Sequence, residues 1–217
     1  MNLYCGKTAD KDFNDRIDHY EFLQAISWAY QHFTVLTFSE TPTVEILLDA
    51  CEIYIKKNKV DGVSLDPLND LRATSNRNKY DYYYDALSNI RRFVKRHNLA
   101  FYLVVHPGTA ANRLRNDDGT RKAPNMSDVE YGSMFGNRAD NFIVFHRNPQ
   151  SEQWNQTEIH IQKVKFQKLV GVPTPEATPI CLFYSYKMRR FRYLNENGTL
   201  IDPIQETIKK TPTNAMF

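Results

Sequence analysis

The stretch that decides the fold runs from Val60 to His106. It begins with the strand pattern VDGVSL at residues 60–65 and ends with LAFYLVV at 99–105, which is apolar throughout. Between them lies an apolar face at helical three-and-four spacing, made of Tyr83, Ala86, Leu87, Ile90, Phe93, Val94 and His97. A strand, a helix and a strand of these lengths form a βαβ unit, which requires parallel strands. The sequence therefore predicts an α/β fold with a mostly parallel sheet flanked by helices.

The pattern continues on both sides of this unit. A short strand is predicted at 33–36, and Thr41-Pro42 is predicted to open a second amphipathic helix that ends at Lys56–Lys59. Ser127 and Glu130 have the spacing of a capping box that starts a short helix. Strand patterns then follow at 141–146, 158–164, 180–186 and 190–194. We expect the last two strands to form an antiparallel hairpin.

The composition is that of a soluble globular protein. The chain has 217 residues, of which 41% are hydrophobic and 24% charged, and its 13 Tyr and 13 Phe exceed what disordered chains carry. The apolar runs are too short for a membrane span, and Met1–Cys5 lacks the pattern of a secretory signal. Three widely spaced cysteines favour a reducing, cytoplasmic compartment. A net charge of +3 does not by itself identify a nucleic-acid binder.

Polar residues follow three of the predicted strands. Asp66 follows 60–65, His106 follows 99–105, and Lys163 and Lys165 share one face at the end of 158–164. Ligands of open parallel sheets bind beyond the carboxyl ends of the strands, where a carboxylate suits Mg²⁺ beside nucleotide phosphates. Each of these residues also has a structural alternative. Asp66 could simply begin a turn before Pro67, and His106 could be an ordinary strand terminus. Lys163 and Lys165 could merely be solvated.

The order of these elements resembles the RecA-like motor domain of hexameric replicative helicases, in the Twinkle and phage or prophage primase-helicase branch of the DnaB superfamily. The residues that carry the resemblance, which covers about residues 15–195, are Asp66-Pro67-Leu68-Asn69, Val105-His106-Pro107, Tyr131-Gly132-Ser133 with Asn137–Asn141, and Gln162–Phe166. It implies a RecA-like (P-loop NTPase) helicase core at 1–205, with a C-terminal antiparallel hairpin. Residues 206–217 are then expected to form a flexible tail.

The resemblance also implies roles for matched residues. Asp66 corresponds to the Walker B carboxylate at the Mg²⁺ ion, Asn69 lies in the same nucleotide-contacting motif, and His106 corresponds to the γ-phosphate sensor. Lys163 and Lys165 correspond to a basic pair that reaches the ATP site of a neighbouring subunit. The loops 69–79 and 108–126 would face single-stranded DNA in the channel of a hexameric ring. The backbone contacts implied for these loops are Arg72, Arg113, Arg115, Arg121 and Lys122.

Two features depart from the family pattern. Position 165 holds a lysine instead of an arginine finger, and lysine lacks the bidentate fork. In addition, Cys5-Gly6-Lys7-Thr8 matches only the end of a phosphate-binding loop G-x-x-x-x-G-K-[ST], whose first glycine would fall on Met1. We therefore expect an N-terminally incomplete motor, whether an expressed fragment, a truncated prophage gene or a degenerate relative. Such a chain should not hydrolyse ATP alone.

Three classes of function follow. The first is a part of an ATP-dependent replicative DNA helicase that uses ATP and Mg²⁺ in the complete protein. The second is a catalytically dead module that binds single-stranded nucleic acid or a protein partner. It is favoured by the missing loop and by a basic C-terminal half in which aromatic residues alternate with cations, although such alternation is also typical of a core. The third is a metal-dependent hydrolase built on Asp66, His106 and Asp140, which would need all three ligands to converge.

Overall fold

The computed structural model describes residues 7, 16–73, 78–148, 152, 154–186 and 189–203. The chain divides into two compact units. The first unit combines Met1–Val35, Ile143–Ile161 and Pro173–Phe217, and the second combines Leu36–Phe142 and Gln162–Val172. The predicted tail at 206–217 lies outside the described residues. A single helicase core over 1–205 stays a prediction.

The first unit begins with helix α1 (His19–His32). Asp18 caps this helix by accepting a hydrogen bond from the Glu21 amide at 2.8 Å, while the Glu21 carboxylate accepts one from the Asp18 amide at 3.0 Å. Residues 33–38 follow the helix without joining any described strand. The strand predicted at 33–36 is therefore wrong. Its alternating apolar side chains have no neighbouring strand to pair with, and Phe33 and Val35 are exposed.

The second unit contains the predicted βαβ arrangement. It comprises α2 (Val44–Ile55), β1 (Gly62–Leu65), α3 (Lys79–His97) and β2 (Ala100–Leu103). Strands β1 and β2 pair in parallel, with Leu65 opposite Leu103. Asn98 ends α3 in the left-handed conformation, with φ 49°. The strand, helix and strand order read from the sequence is confirmed.

The core of the second unit lies between the helices and the β1–β2 pair. Apolar faces of α2 and α3 supply most of it, and Val44 and Leu68 are completely buried. Its other members are Leu48, Cys51, Leu65, Tyr82, Tyr83, Ala86, Leu87, Ile90, Phe93, Leu99, Val129, Met134 and Phe135. The buried positions of α3 have the spacing that the sequence indicates.

Two predicted helix starts are shifted. The cap of α2 is Thr43, whose hydroxyl accepts a hydrogen bond from the Ile46 amide, and not Thr41. Pro42 instead offers its carbonyl to the Arg72 amide at 3.0 Å. The capping box near residue 127 consists of Asn125 and Asp128, and it starts only a 3₁₀ turn at Met126–Asp128. The other short helical segments are the 3₁₀ turns Leu68–Asp70 and Ala111–Arg113 and the helices α4 (Met134–Arg138) and α5 (Gln167–Val170).

Five further strands of the described part form a second sheet, whose residues fall mainly in the first unit. In chain order they are β3 (Asn141–His146), β4 (Gln156–Val164), β5 (Ile180–Ser185), β6 (Arg190–Leu194) and β7 (Leu200–Ile201), and they lie side by side in that order. The β4–β5, β5–β6 and β6–β7 pairs are antiparallel. The predicted C-terminal hairpin is thus confirmed as β5–β6. No helix in the described ranges has the length and hydropathy needed to cross a membrane.

Candidate functional site

The carboxyl edge of the β1–β2 pair carries two of the predicted site residues, Asp66 and His106. Pairing continues past the strand ends, because the Val104 amide donates to the Leu65 carbonyl at 2.9 Å and the Leu68 amide donates to the Val104 carbonyl at 3.1 Å. Asp66 is exposed, and no described residue donates a hydrogen bond to its carboxylate. A carboxylate in this position is available to a cation or to the water molecules around one.

His106 is held through its backbone while its imidazole remains exposed. Its carbonyl accepts a hydrogen bond from the Glu130 amide at 3.2 Å, and the next residue, Pro107, forms an antiparallel bridge with Val129. The Gly108 amide donates to the Asp128 carbonyl at 2.7 Å. The two ends of the loop 108–126 are therefore tied together next to His106.

Asn69 and Glu130 join the two sides of this edge. The Asn69 Nδ2 donates to the Glu130 Oε2 at 2.8 Å, although the two residues are 61 positions apart. The amide nitrogen of Asn69, predicted to contact a nucleotide, is thus engaged within the protein. Sequence reasoning missed this role of Glu130 because it assigned the residue to a local capping box. No local pattern could have indicated a contact of such sequence separation.

Tyr131 is packed and hydrogen-bonded beside Glu130. Its ring stacks on Tyr83 of α3 at a centroid distance of 4.8 Å, and its hydroxyl accepts a hydrogen bond from the Lys79 Nζ at 3.1 Å. That hydrogen bond raises the pKa of Lys79, and burial raises the pKa of Tyr83. These contacts fix the chain segment that carries Glu130 to the start of α3.

Lys163 and Lys165 are engaged elsewhere in the second unit. The Lys163 ammonium donates to the carbonyls of Gly136 and Asn137, at 2.8 and 3.1 Å, near the end of α4. The Lys165 ammonium pairs with Asp140 at 2.7 Å, and this hydrogen bond lowers the pKa of Asp140. Their own strand, β4, pairs with β5 and lies outside the parallel pair.

The structure therefore brings only part of the predicted site together. Within the described residues, no hydrogen bond or ion pair joins either lysine to Asp66 or His106. The expectation that all four side chains line one rim of a parallel sheet fails for the lysines, because β4 belongs to the antiparallel sheet. Their predicted action on a neighbouring subunit stays a prediction. For Lys165 it would require breaking the ion pair with Asp140.

The middle of the loop 108–126 forms a small hairpin. Arg115 and Arg121 form an antiparallel bridge, and the Asn116 amide donates to the Thr120 carbonyl at 2.9 Å across the turn. Gly119, at φ +82°, supplies the left-handed residue that this turn needs. The Thr120 hydroxyl and amide, which hydrogen-bond to Asp118, lower the pKa of that carboxyl.

This hairpin carries four exposed cations and two exposed carboxylates, Asp117 and Asp118. Its exposed cations are the four predicted in the sequence, Arg113, Arg115, Arg121 and Lys122. Like charges placed opposite each other across antiparallel strands destabilise the pairing, and Arg115 and Arg121 are opposite each other in this bridge. The guanidinium of Arg115 also donates to the carbonyls of Asn112 and Leu114, at 3.0 and 2.9 Å, which restricts its position. Arg72, the fifth predicted contact, is exposed as well.

Two other sequence hypotheses can be placed. Of the segment resembling the end of a phosphate-binding loop, only Lys7 is described, and its ammonium pairs with Glu21 of α1. The hydrolase hypothesis needs Asp140 as a ligand, but Lys165 and Arg91 approach its carboxylate at 2.7 and 3.8 Å. The described residues contain no group of three or more His, Cys, Asp or Glu side chains that could hold a metal ion.

Comparison with known proteins identifies one curated relative in sequence. The chain is 29% identical over 109 residues to the Twinkle homolog protein, chloroplastic/mitochondrial, of Arabidopsis thaliana. The aligned region covers 49% of this chain and 14% of the relative. No family model matches the sequence.

Solved structures share the fold at low sequence identity. An ATPase domain superposes with a TM-score of 0.63 at 16% identity, over 86% of this chain and 62% of the solved chain. A DnaB-like replicative helicase, solved for its interactions with primase, superposes with a TM-score of 0.64 at 15% identity, over 84% of this chain and 44% of that one. The chain therefore spans less than two thirds of each of these three proteins.

Proposed function

We infer that this chain, which has the RecA-like fold of a DnaB/Twinkle-type helicase motor domain, works as part of an ATP-dependent replicative DNA helicase. The observation that carries the proposal is the site edge. An exposed carboxylate, to which no residue in the described part of the chain is bonded, and an exposed imidazole lie at the carboxyl ends of two paired parallel strands. In this fold class the carboxyl edge of the sheet is where ligands bind. A RecA-like sheet with such an edge is suited to a nucleotide.

Asp66 is the residue that fits a magnesium ion. Mg²⁺ prefers oxygen ligands and keeps several of its waters, so a single exposed carboxylate is sufficient for the protein side of the contact. Bound ATP would supply the free energy of phosphoryl transfer, and Mg²⁺ would neutralise charge on its phosphates. An N–H of the His106 imidazole would donate a hydrogen bond to the terminal phosphate across the same edge.

The cationic hairpin of the loop 108–126 fits the backbone of single-stranded DNA. Each cation that replaces a counterion at a phosphate adds affinity that depends on salt. The hairpin and the nucleotide edge share one anchor, because Glu130 contacts both Asn69 and the backbone of His106. A change in the positions of Asp66 and His106 would therefore be transmitted to the base of the loop.

The nucleotide site proposed for this chain is incomplete. The sequence supplies no G-x-x-x-x-G-K-[ST] match whose amides and lysine could neutralise the β- and γ-phosphates. We propose that the complete motor obtains this loop from residues outside the 217 printed here, and assembles with neighbouring subunits as a ring. The same observation favours the second candidate, a catalytically dead module that keeps only its single-stranded nucleic-acid contact.

The two candidates differ in ATP turnover. We expect the chain alone to show no turnover above buffer, with or without single-stranded DNA. A longer protein that also carries the upstream residues should hydrolyse ATP, and single-stranded DNA should stimulate it. The measurement is phosphate release for both proteins at equal concentration. A longer protein that binds ATP but remains inactive with DNA would support the dead module and contradict the motor.

Loss of the hairpin cations should weaken binding to DNA and change its salt dependence. For the double variant Arg115→Ala/Arg121→Ala, the slope of log affinity against log salt should fall by about 0.7 for each lost phosphate contact. Fluorescence anisotropy with a labelled oligothymidine between low and moderate salt measures both quantities.

A matched double variant controls for net charge. Lys57→Ala/Lys95→Ala also removes two positive charges, but from exposed positions outside the loop. It should leave the slope of log affinity against log salt unchanged. Equal slopes in wild type and both double variants would refute the assignment of the hairpin to DNA.

A further inference from the structure

The first unit exposes a cluster of aromatic side chains that the nucleotide edge and the loop 108–126 do not use. Tyr184 of β5 and Phe191 of β6 are paired residues, so their rings lie on one face of the sheet at a centroid distance of 5.2 Å. Tyr186 follows on the same face at 5.0 Å from Tyr184, and Trp154 lies 5.1 Å from Tyr186. We call these four residues the aromatic row.

The aromatic row is not a core. Trp154, Tyr186 and Phe191 are 45%, 54% and 43% exposed, which is unusual for neighbouring large aromatic side chains. The sequence alone favoured a core for this alternation, because a hairpin with a ring at every second position is most often covered by other elements. In the structure these three rings remain about half exposed, and Tyr184 is half-buried.

Positive charge borders the row. Residues 184–192 contain Lys187, Arg189, Arg190 and Arg192 and no acidic residue. Arg190 is buried, and both Arg190 and Arg192 flank Phe191 in β6, which places them on the opposite face of the sheet. Arg147 is exposed beside the row, and its Nε donates to the Trp154 carbonyl at 2.8 Å. Glu158 is hydrogen-bonded to His160 and Asp202 is paired with Arg190, while Glu152, two residues before Trp154, is exposed. Among the described residues, the exposed cations nearest to the row in sequence are Arg147 and Arg189.

We propose that the aromatic row is a stacking platform for single-stranded nucleic acid, on which bases pack against the exposed rings while Arg147 and Arg189, both exposed, contact the phosphates. Exposed rings beside cations are what sequence-tolerant single-strand binding requires, since every base has a π-face. Duplex bases are already stacked and offer no free face, so the platform discriminates against double strands. The site uses no residue of the loop 108–126 and does not depend on ATP hydrolysis.

The test is the affinity of the chain for a fluorescein-labelled oligothymidine of about 20 nucleotides, longer than one binding site. Tyr186→Ala and Phe191→Ala should each weaken binding roughly 5- to 100-fold, the range for loss of one base–aromatic stack. Tyr186→Phe keeps the ring and should keep the affinity. Tyr30→Ala removes a tyrosine of α1 that is 81% exposed, and it is the matched control that should bind as wild type.

The salt dependence separates this platform from the proposed function. Loss of a ring removes no phosphate contact, so the slope of log affinity against log salt should not change, whereas Arg115→Ala/Arg121→Ala should lower it. If only the ring variants lose affinity, the platform stands and the loop assignment falls. If only the loop variant loses affinity, the platform is overturned.

A spectroscopic readout tests the row without the alanine variants. The chain has two tryptophans, so in Trp28→Phe the emission comes from Trp154 alone. A stacked base should quench this emission as the oligothymidine saturates the protein, and a duplex of the same length should not. Unquenched emission at saturation would overturn the proposal. The proposal would also be overturned if the ring variants bound the oligonucleotide as wild type does and instead lost affinity for fluorescent ADP.

Discussion

Alanine at Asp66, in the longer protein that carries the upstream residues, is expected to reduce DNA-stimulated ATP turnover by about 100-fold or more. The carboxylate lies at the carboxyl edge of β1 and has no partner in the described part of the chain, so its only interaction of consequence would be with the bound cation. Steady-state phosphate release at saturating ATP and DNA measures the loss. Binding of the oligothymidine without nucleotide should persist, because the hairpin cations are unchanged.

Two further variants complete this experiment. Asp70→Ala removes another exposed carboxylate four residues away and should retain turnover. His106→Ala should lower turnover by about tenfold to 100-fold, since a positioned imidazole contributes by proton transfer or hydrogen bonding. The site assignment is refuted if Asp66→Ala and His106→Ala both turn over ATP as wild type does.

The βαβ unit could be predicted from the sequence because its signals are local. The apolar positions of α3 repeat at helical spacing, and residues 99–105 are apolar at every position, so neither element depends on distant residues for its identification. The position of Asp66 followed directly, since a residue after a parallel strand must lie at the carboxyl edge.

Contacts between distant residues set the features that the sequence did not predict. Thr41 and Thr43 both suit a helix cap, and the choice of Thr43 follows the hydrogen bond between Pro42 and Arg72, 30 positions apart. The Asn69–Glu130 bond likewise joins segments that only the folded chain brings together. The lysines were misplaced because a strand pattern gives no information about which neighbour a strand pairs with, and β4 pairs antiparallel with β5.

The exposed aromatic row shows that the sequence pattern also could not predict which sheet face is buried. The patterns at 180–186 and 190–194 placed Tyr184 and Phe191 correctly in strands, and the structure shows that these two residues pair on one face. It could not show whether another layer covers that face, because covering depends on how many elements the fold supplies. Burial of a sheet face is a property of the assembled layers, and hydrophobic patterning is consistent with both a core and a binding surface.

Alanine at Leu68 should give the largest loss of stability in the second unit. The side chain is fully buried, and its backbone amide donates to the Val104 carbonyl just beyond β2. Truncation leaves a cavity among the side chains of α2 and α3, and we expect a loss of about 3 kcal/mol in the free energy of unfolding. Because the chain has two units, hydrogen exchange of the α3 amides should be measured together with the urea midpoint.

Three control variants separate the effect of Leu68→Ala on stability from effects on ATP turnover. Leu114→Ala truncates an exposed leucine of the hairpin. Like other surface substitutions, it should lower the free energy of unfolding by well under about 1 kcal/mol. Leu68→Met nearly conserves the volume and should cost less than about 1.5 kcal/mol. Asp66→Ala, two residues earlier, should leave α3 exchange unchanged while removing turnover. If Leu68→Ala and Leu114→Ala shifted the urea midpoint equally, the packing of this core would be contradicted, since only one of the two side chains lies within it.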